Sequence, residues 1–401
     1  MSHAAPVRDF ASLSRDALAS AAHPRNADID ALAQRLTAAF AAHRALHAGQ
    51  QSYTGPVQGA RLSKDEAALL YHKADLYTLG ALAHQARLAL YPAPVVTYVA
   101  DRNINYSNIC VCACRFCAFF RPPGHAEGYV ISKEELGKKI EETLALGGTQ
   151  ILMQGGHHPD LPLSFYEDLI AFIRNTYPAI HIHAFSPPEI VFFAHKEGLD
   201  ESEVIARLMR AGLHSIPGGG AEILTDRARA LASPNKCNAG QWLGVMEKAH
   251  ALGLKTTATM MFGHEEQDAE RLDHLFAVRG LQDTTHGFTA FIPWTFQSGN
   301  TQIIREPESS QAYLRMLALS RLVLDNVPSI QGSWVTMGPH MGQLALFFGA
   351  NDFGSLMIEE NVVAAAGVAF HLSRAEIHSI IEKAGFTPKQ RTMDYRYVES
   401  L

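Results

Sequence analysis

Two hydrophobic periodicities divide this chain. Between residues 28 and 47, Ile29, Leu32, Leu36, Ala39 and Phe40 recur at helical spacing and predict an amphipathic helix that Gly49 stops. Ser63-Lys64-Asp65-Glu66 has the form of a capping box. It predicts a helix of about 24 residues with Leu69, Leu70, Leu76, Leu79 and Leu82 on one side, ended by Tyr91-Pro92-Ala93-Pro94. From residue 95 the pattern changes to short apolar or β-branched runs alternating with helical stretches. The runs lie in VVTYVADRN (95–103), TQILMQGG (149–156), IHIHAFSPPEI (180–190), HSIPGGGAEI (214–223), KTTATMMFGHEE (255–266), GFTAFIPWTFQ (287–297), SIQGSWVTMG (329–338) and GANDFGS (349–355). Helical patterns open at the capping box Ser132-Lys133-Glu134-Glu135 and cover 164–177, 200–211, 239–252, 268–282 and 309–325. A last capping box, Ser373-Arg374-Ala375-Glu376, opens a helix that stops at Gly385. Eight strand candidates in units of about 30–40 residues predict an α/β fold, a parallel sheet closed into a TIM-type (β/α) barrel, complete or nearly complete. The expected division is an N-terminal helical extension over 1–94 and, over 95–401, the barrel with a C-terminal helical segment.

Chemistry in such barrels collects at the C-terminal ends of the strands, and there this sequence becomes unusual. Four of the five cysteines, Cys110, Cys112, Cys114 and Cys117, fall in NINYSNICVCACRFCAFFR (103–121), after the first strand. Three of them read Cys110-x3-Cys114-x2-Cys117, with the aromatic Phe116 just before the last. Thiolates are soft ligands that favour iron–sulfur clusters, zinc or Cu(I). A [4Fe–4S] cube held by three thiolates keeps one iron open for a further ligand. Structural zinc usually pairs two separated knuckles, and no second knuckle is present. Cys112 is surplus to the spacing and reads as a small side chain filling the loop. Cys237 lies far off and reads as structural.

The other strand ends carry further candidates. Gly155 and Gly156 would let backbone approach a ligand, or serve a tight turn. Ser186 could hydrogen-bond a ribose hydroxyl. Glu189 could do the same, act as a base, or cap a following helix; Pro187 and Pro188 stiffen that loop. Gly218, Gly219 and Gly220 precede Glu222 without the Lys-Ser/Thr of a P-loop. Met260, Met261 and Phe262 would form an apolar wall, or simply belong to the core. His157, His158, His183 and His264 all lie near strand ends, where an imidazole could move a proton.

Charge narrows the function little further. The chain has 401 residues, 34 basic and 40 acidic, for a net charge of −6. No basic stripe interleaved with aromatics argues for nucleic-acid binding. The longest apolar runs, such as 361–370, are too short to span a bilayer. The Ala-rich start is broken by Arg8, Asp9, Arg15 and Asp16, unlike a signal peptide. A cytoplasmic location, where thiols stay reduced, is expected.

The Cys110-x3-Cys114-x2-Cys117 loop resembles the signature of the radical S-adenosylmethionine superfamily. The resemblance narrows with RNINYSNICVCACRFCAFFR, TQILMQGGHHPDLPLSFYEDL, HIHAFSPPEI, SIPGGGAEIL, KTTATMMFGH, GFTAFIPWTFQSGNT, SRLVLDNVPSIQGSWVTMG and GANDFGS. Together these look like the dehypoxanthine futalosine cyclase family of the futalosine route to menaquinone, over about residues 60–390. The resemblance implies that Cys110, Cys114 and Cys117 hold a [4Fe–4S] cluster whose open iron binds S-adenosyl-L-methionine. It places Phe116, Gly155, Gly156, Ser186 and Glu189 around that cofactor. The acidic residue usual after the two glycines is replaced by His157. The implied reaction is a cyclisation. A 5′-deoxyadenosyl radical takes hydrogen from C4′ of the substrate ribose, the carbon radical adds to the benzoate ring, and an electron and a proton leave. Glu189, Glu222 and His264 are the expected bases for that proton. The implied partners are a small nucleoside substrate and reduced flavodoxin or ferredoxin as electron donor, with room for a homodimer and with neither nucleic acid nor membrane. Aminofutalosine synthase, a sister enzyme of the same route, is the alternative within the superfamily. A non-catalytic iron–sulfur or zinc protein is the alternative outside it.

Overall fold

The computed structural model describes residues 26–368 and 370–398. The charged N-terminal stretch around Arg8 and Asp16 lies outside them. Among the described residues, ten strands form two sheets. The larger is all parallel, in the order β2 (Asp101–Asn105), β3 (Gln150–Gln154), β4 (His181–Ala184), β5 (Ser215–Ile216), β6 (Lys255–Phe262), β7 (Phe288–Thr295) and β8 (Ser329–Ile330). The smaller sets β1 (Val95–Val99) between β10 (Thr387–Gln390) and β9 (Asp352–Ser355). The two sheets join. Gln331 bridges to Asp352 in parallel register. Past β9, the Leu356 and Ile358 amides donate to the carbonyls of Val99 and Asp101, and the Asn103 amide donates to Glu359. The seam closes a (β/α) barrel from the eight predicted segments.

Three expectations change in detail. The run 95–103 is two strands, because β1 turns out to the smaller sheet and β2 lies beside β3. β10, which pairs Val95 with Thr387, carries no alternation that would announce it. The helix expected over 63–91 is two helices, Lys64–Lys73 and Leu76–Leu90. Ala74 is extended (ψ 139°), and Asp75 starts the second helix by accepting from the Thr78 amide at 2.9 Å and its hydroxyl at 2.6 Å. A carboxylate able to cap outcompetes continuation of the first helix.

Helices Lys133–Ala145, Leu163–Thr176, Glu201–Ala211, Ala239–Ala251, Asp268–Thr285 and Ser310–Val323 surround the barrel. The capping boxes at Ser63 and Ser373 form with both arms, and Ser132 accepts from the Glu135 amide. Helix Leu76–Leu90 packs against Ser310–Val323 and against Ala27–Leu46, whose Ile29, Leu32, Leu36 and Phe40 are buried. One continuous apolar core runs from Ile29 to Ile381. Strand alternation sorts the barrel's own residues. On β2, Arg102 pairs with Glu142 on an outer helix at 2.9 Å, while Asp101 is bonded by Gln150 and Ser355 of neighbouring strands.

Candidate functional site

The loop between β2 and helix Lys133–Ala145 is fastened at its root. The Cys110 amide donates to the Arg121 carbonyl (2.9 Å) and the Arg121 amide to the Asn108 carbonyl (2.7 Å), so the cysteine segment closes on itself. It is also tied to its neighbours: Val111 N–H donates to His157 O at 3.1 Å, and Arg115 N–H donates to Ala232 O at 2.9 Å. Ala113, between Cys112 and Cys114, adopts a left-handed φ of 47°. Such conformations cost energy in a residue with a Cβ and gather at functional sites.

All five cysteines are free thiols. Burial pushes the Cys114 thiol up to about 12 and raises that of Cys117. Cys110 is drawn down to about 6, first by a hydrogen bond with Cys112 and against the effect of burial. Among the described residues, no three His, Cys, Asp or Glu side chains converge as closely as a single metal ion requires. Three thiols on one short loop, none engaged in a disulfide, suit a cube whose corners stand apart.

Gly155 and Gly156 end β3 against this loop. Neither has the positive φ of a tight turn. A Cβ at Gly156 would lie 2.2 Å from the Ile109 carbonyl oxygen and 3.0 Å from Cys110 Cβ; one at Gly155 would lie 2.6 Å from the Tyr106 ring. The glycines therefore let the cysteine loop pack onto the strand. Their amides are used within the protein, Gly155 donating to Glu189 Oε1 (3.1 Å) and Gly156 to Ser107 O (2.8 Å).

Residues 185–190, expected as the polar exit of a strand, instead start a helix, Pro187–Glu197. Phe185 takes a φ of 60°, and Ser186 and Glu189 form a capping box. Glu189 is buried and accepts from the Ser186 amide (2.7 Å), the Ser186 hydroxyl (2.5 Å), the Tyr106 hydroxyl (2.8 Å) and Gly155. Burial raises its pKa. Both carboxylate oxygens accept hydrogen bonds within the protein and hold the ends of β2, β3 and β4 together.

Glu222, after β5, has a φ of 40° and a different company. Lys236 Nζ lies 3.1 Å from Oε1 and Arg229 Nη1 lies 3.5 Å from Oε2. The Lys236 ammonium also sits 5.1 Å over the Phe116 ring. Lys236 thus links the acid after β5 to the cysteine loop. Sequence reasoning missed it, because a single lysine in SPNK (233–236) has no periodicity or motif, and its partner is set by the fold.

The apolar wall differs from expectation. Met260 and Phe262 are fully buried in the main core, whereas Met261 joins Ala232, Phe296 and Ile303 in a separate cluster against which Phe116 and Trp294 pack. Alternation along β6 makes only the middle residue available to that cluster. His264 is buried beside Phe296; its Nε2 lies 3.1 Å from Met261 O, and its Nδ1 has no hydrogen-bond partner. His183 is bound to Ser215 Oγ at 2.7 Å, and His158 accepts from the Asp160 amide at 3.1 Å. His157 packs on Phe192 with ring centres 4.8 Å apart and holds Cys112, its Nδ1 2.9 Å from Sγ.

A barrel with four free thiols on the loop after β2, beside a glycine-lined strand end, is the setting of a radical S-adenosylmethionine enzyme. Residues 104–278 match the Radical SAM superfamily, and the chain belongs to it. Residues 285–401 match the CofH/MqnC C-terminal region. The chain is 47% identical over 345 residues to cyclic dehypoxanthine futalosine synthase of Halalkalibacterium halodurans, covering 86% of this chain and 93% of that protein. It is 43% identical to the synthase of the same name from Streptomyces coelicolor, covering 85% and 86%. A 5-amino-6-(D-ribitylamino)uracil–L-tyrosine 4-hydroxyphenyl transferase of Methanopyrus kandleri is 39% identical, covering 82% and 91%. In fold the chain is similar to the FeFe-hydrogenase maturase HydG from Carboxydothermus hydrogenoformans (TM-score 0.69, 17% identity, covering 96% and 85%). It is similar also to methylornithine synthase (TM-score 0.62, 16% identity, covering 89% and 97%). Members of the superfamily use a [4Fe–4S] cluster and S-adenosylmethionine, and this chain is an enzyme of that kind, acting on a small substrate and dependent on an electron donor. Among the described residues no helix is long and apolar enough to cross a membrane.

Proposed function

We propose that this enzyme converts dehypoxanthine futalosine to cyclic dehypoxanthinyl futalosine in menaquinone biosynthesis. The observation that carries the reading is the 47% identity to a cyclic dehypoxanthine futalosine synthase along 86% of the chain. Cys110, Cys114 and Cys117 hold the cluster, and Phe116 and the Gly155-Gly156 strand end flank the cofactor. When bound, the cluster and S-adenosylmethionine together supply a 5′-deoxyadenosyl radical. The chain's own residues position the substrate and protect the reaction. Met261, Trp294, Phe296 and Phe116 keep water from the reacting ribose carbon. Ser186 has lone pairs left for a ribose hydroxyl. His264, whose Nδ1 makes no hydrogen bond and lies 3.6 Å from Glu266 Oε2, is the base for the late proton, and Glu222 with Lys236 sets the local charge. Reduced flavodoxin or ferredoxin supplies the electron, and the enzyme works in the cytoplasm, with a homodimer as the proposed assembly. Among the described residues, those up to 94 form the helical extension and those from 95 the barrel with its C-terminal helical segment.

The test is anaerobic incubation of reduced enzyme with S-adenosylmethionine and dehypoxanthine futalosine. The expected result is cyclised product with free 5′-deoxyadenosine. An adenosylated product, or no consumption of this substrate, overturns the reading. The 39% identity to a hydroxyphenyl transferase favours a second reading; tyrosine and 5-amino-6-(D-ribitylamino)uracil in the same assay would then give the coupled product. For His264→Gln, 5′-deoxyadenosine should still form while cyclised product falls at least about a hundredfold, the low end for loss of a general base.

A further inference from the structure

Cys112 poses a problem that the three-ligand arrangement must solve. It lies two residues from Cys110 and two from Cys114, and its sulfur is close enough to Cys110 to hydrogen-bond with it. A tethered thiolate faces an open iron at an effective concentration on the order of millimolar or more, and competes with any free ligand for that corner. A cluster capped by a fourth cysteine could not bind S-adenosylmethionine.

The structure shows what restrains this thiol. Cys112 is 2% exposed. Its sulfur lies 2.9 Å from His157 Nδ1 and donates to the Asn235 carbonyl at 3.4 Å. The Asn235 side-chain amide returns a bond to the Cys112 carbonyl at 3.2 Å, and the Val111 amide donates to the His157 carbonyl at 3.1 Å. His157 is fixed in turn by packing, its ring tilted by 31°, against the ring of Phe192. Backbone and side chain are thus pinned from two loops, one after β3 and one before helix Ala239–Ala251.

We propose that His157 is a positioning residue whose hydrogen bond to Cys112, together with the Asn235 contacts, keeps the fourth thiol out of the cluster's ligand set and the remaining iron free for S-adenosylmethionine. This goes beyond the assigned reaction and rests on Cys110, Cys114 and Cys117 being the ligands.

The test compares wild type, His157→Leu, Cys112→Ser and the double variant as reconstituted, dithionite-reduced proteins. The readouts are the electron paramagnetic resonance spectrum with and without S-adenosylmethionine and the equilibrium affinity for that cofactor. Leucine keeps the packing on Phe192 but cannot hydrogen-bond. Wild type and Cys112→Ser should show the cofactor-dependent spectral change. His157→Leu should lose it, with affinity reduced at least about tenfold as the tethered thiol competes. The double variant should regain it. Should His157→Leu fail to hold a cluster, His157→Asn, which keeps a hydrogen-bonding group near Nδ1, is compared with His157→Ala. The first should retain the change, and the second should recover it only when Cys112→Ser is added. A cofactor response untouched by loss of the imidazole overturns the proposal. So does a loss that removal of Cys112 does not reverse, because a merely structural histidine would behave that way. If wild type itself gives no response, the ligand assignment fails and this inference falls with it; Cys110→Ser, expected to lose the cluster, tests that assignment separately.

Discussion

The ends of β4 and β5 carry the same residue type to opposite purposes. Glu189 and Glu222 are both buried acids just past neighbouring strands, each near a residue forced into a left-handed conformation. Glu189 is surrounded by neutral donors that follow β2, β3 and β4, namely Tyr106, Gly155 and Ser186, and it cements the barrel rim. Glu222 is surrounded by two cations, one of which lies over Phe116 in the cysteine loop. A buried carboxylate at a barrel mouth is thus no guide to catalysis on its own. The company it keeps separates a rivet from an electrostatic element of the site.

The largest expected effect lies at the β4 end. Glu189→Ala strands the hydroxyl of Tyr106 and the amides of Ser186 and Gly155, and should cost about 3–5 kcal/mol in chemical denaturation, as removal of a buried, multiply bonded charge does. A loss under about 1 kcal/mol would erase the distinction. At the β5 end, a double-mutant cycle between Glu222→Gln and Lys236→Met should give a coupling of about 1–3 kcal/mol. S-adenosylmethionine cleavage should suffer more than the melting temperature, whereas for Glu189 the order is reversed. The smallest effect is set by pH. His274 accepts the Leu224 amide just past Glu222 at 3.1 Å, and burial pushes its pKa down from 6.5 to about 3. The unfolded chain therefore binds a proton that the folded one refuses, and stability falls as pH drops below 6.5. Between pH 6.5 and 5 the loss is about 2 kcal/mol. His274→Gln should remove that portion of the slope in denaturation at the two pH values.

What could be read in advance was local. The capping boxes at Ser63 and Ser373 need only four residues, and the three cysteines only eight, so both were visible in the string. Strand alternation revealed eight barrel segments but not β10, whose Thr387–Gln390 has no apolar face to declare it. Asp75 was hidden because a cap within a helical pattern looks like one more polar position. The pairings that distinguish the site, Glu222 with Lys236 and Cys112 with His157, join separate loops and exist only once the strands are ordered. The hydrogen bonds of Glu189 were hidden for the same reason: its donors Tyr106 and Gly155 come from two other segments of the chain.

The seam of the barrel bears on how the molecule is made. Residues 95–98 lie beside 387–390 on one side and beside the stretch from 352 on the other. During synthesis β1 emerges long before either neighbour and must wait, its edges bare, until residue 390 has left the ribosome. Contacts so distant in sequence form late. The cysteine loop follows β2 instead, and its walls at His157, Ala232, Asn235 and Gln302 all precede both neighbours of β1 in the order of synthesis.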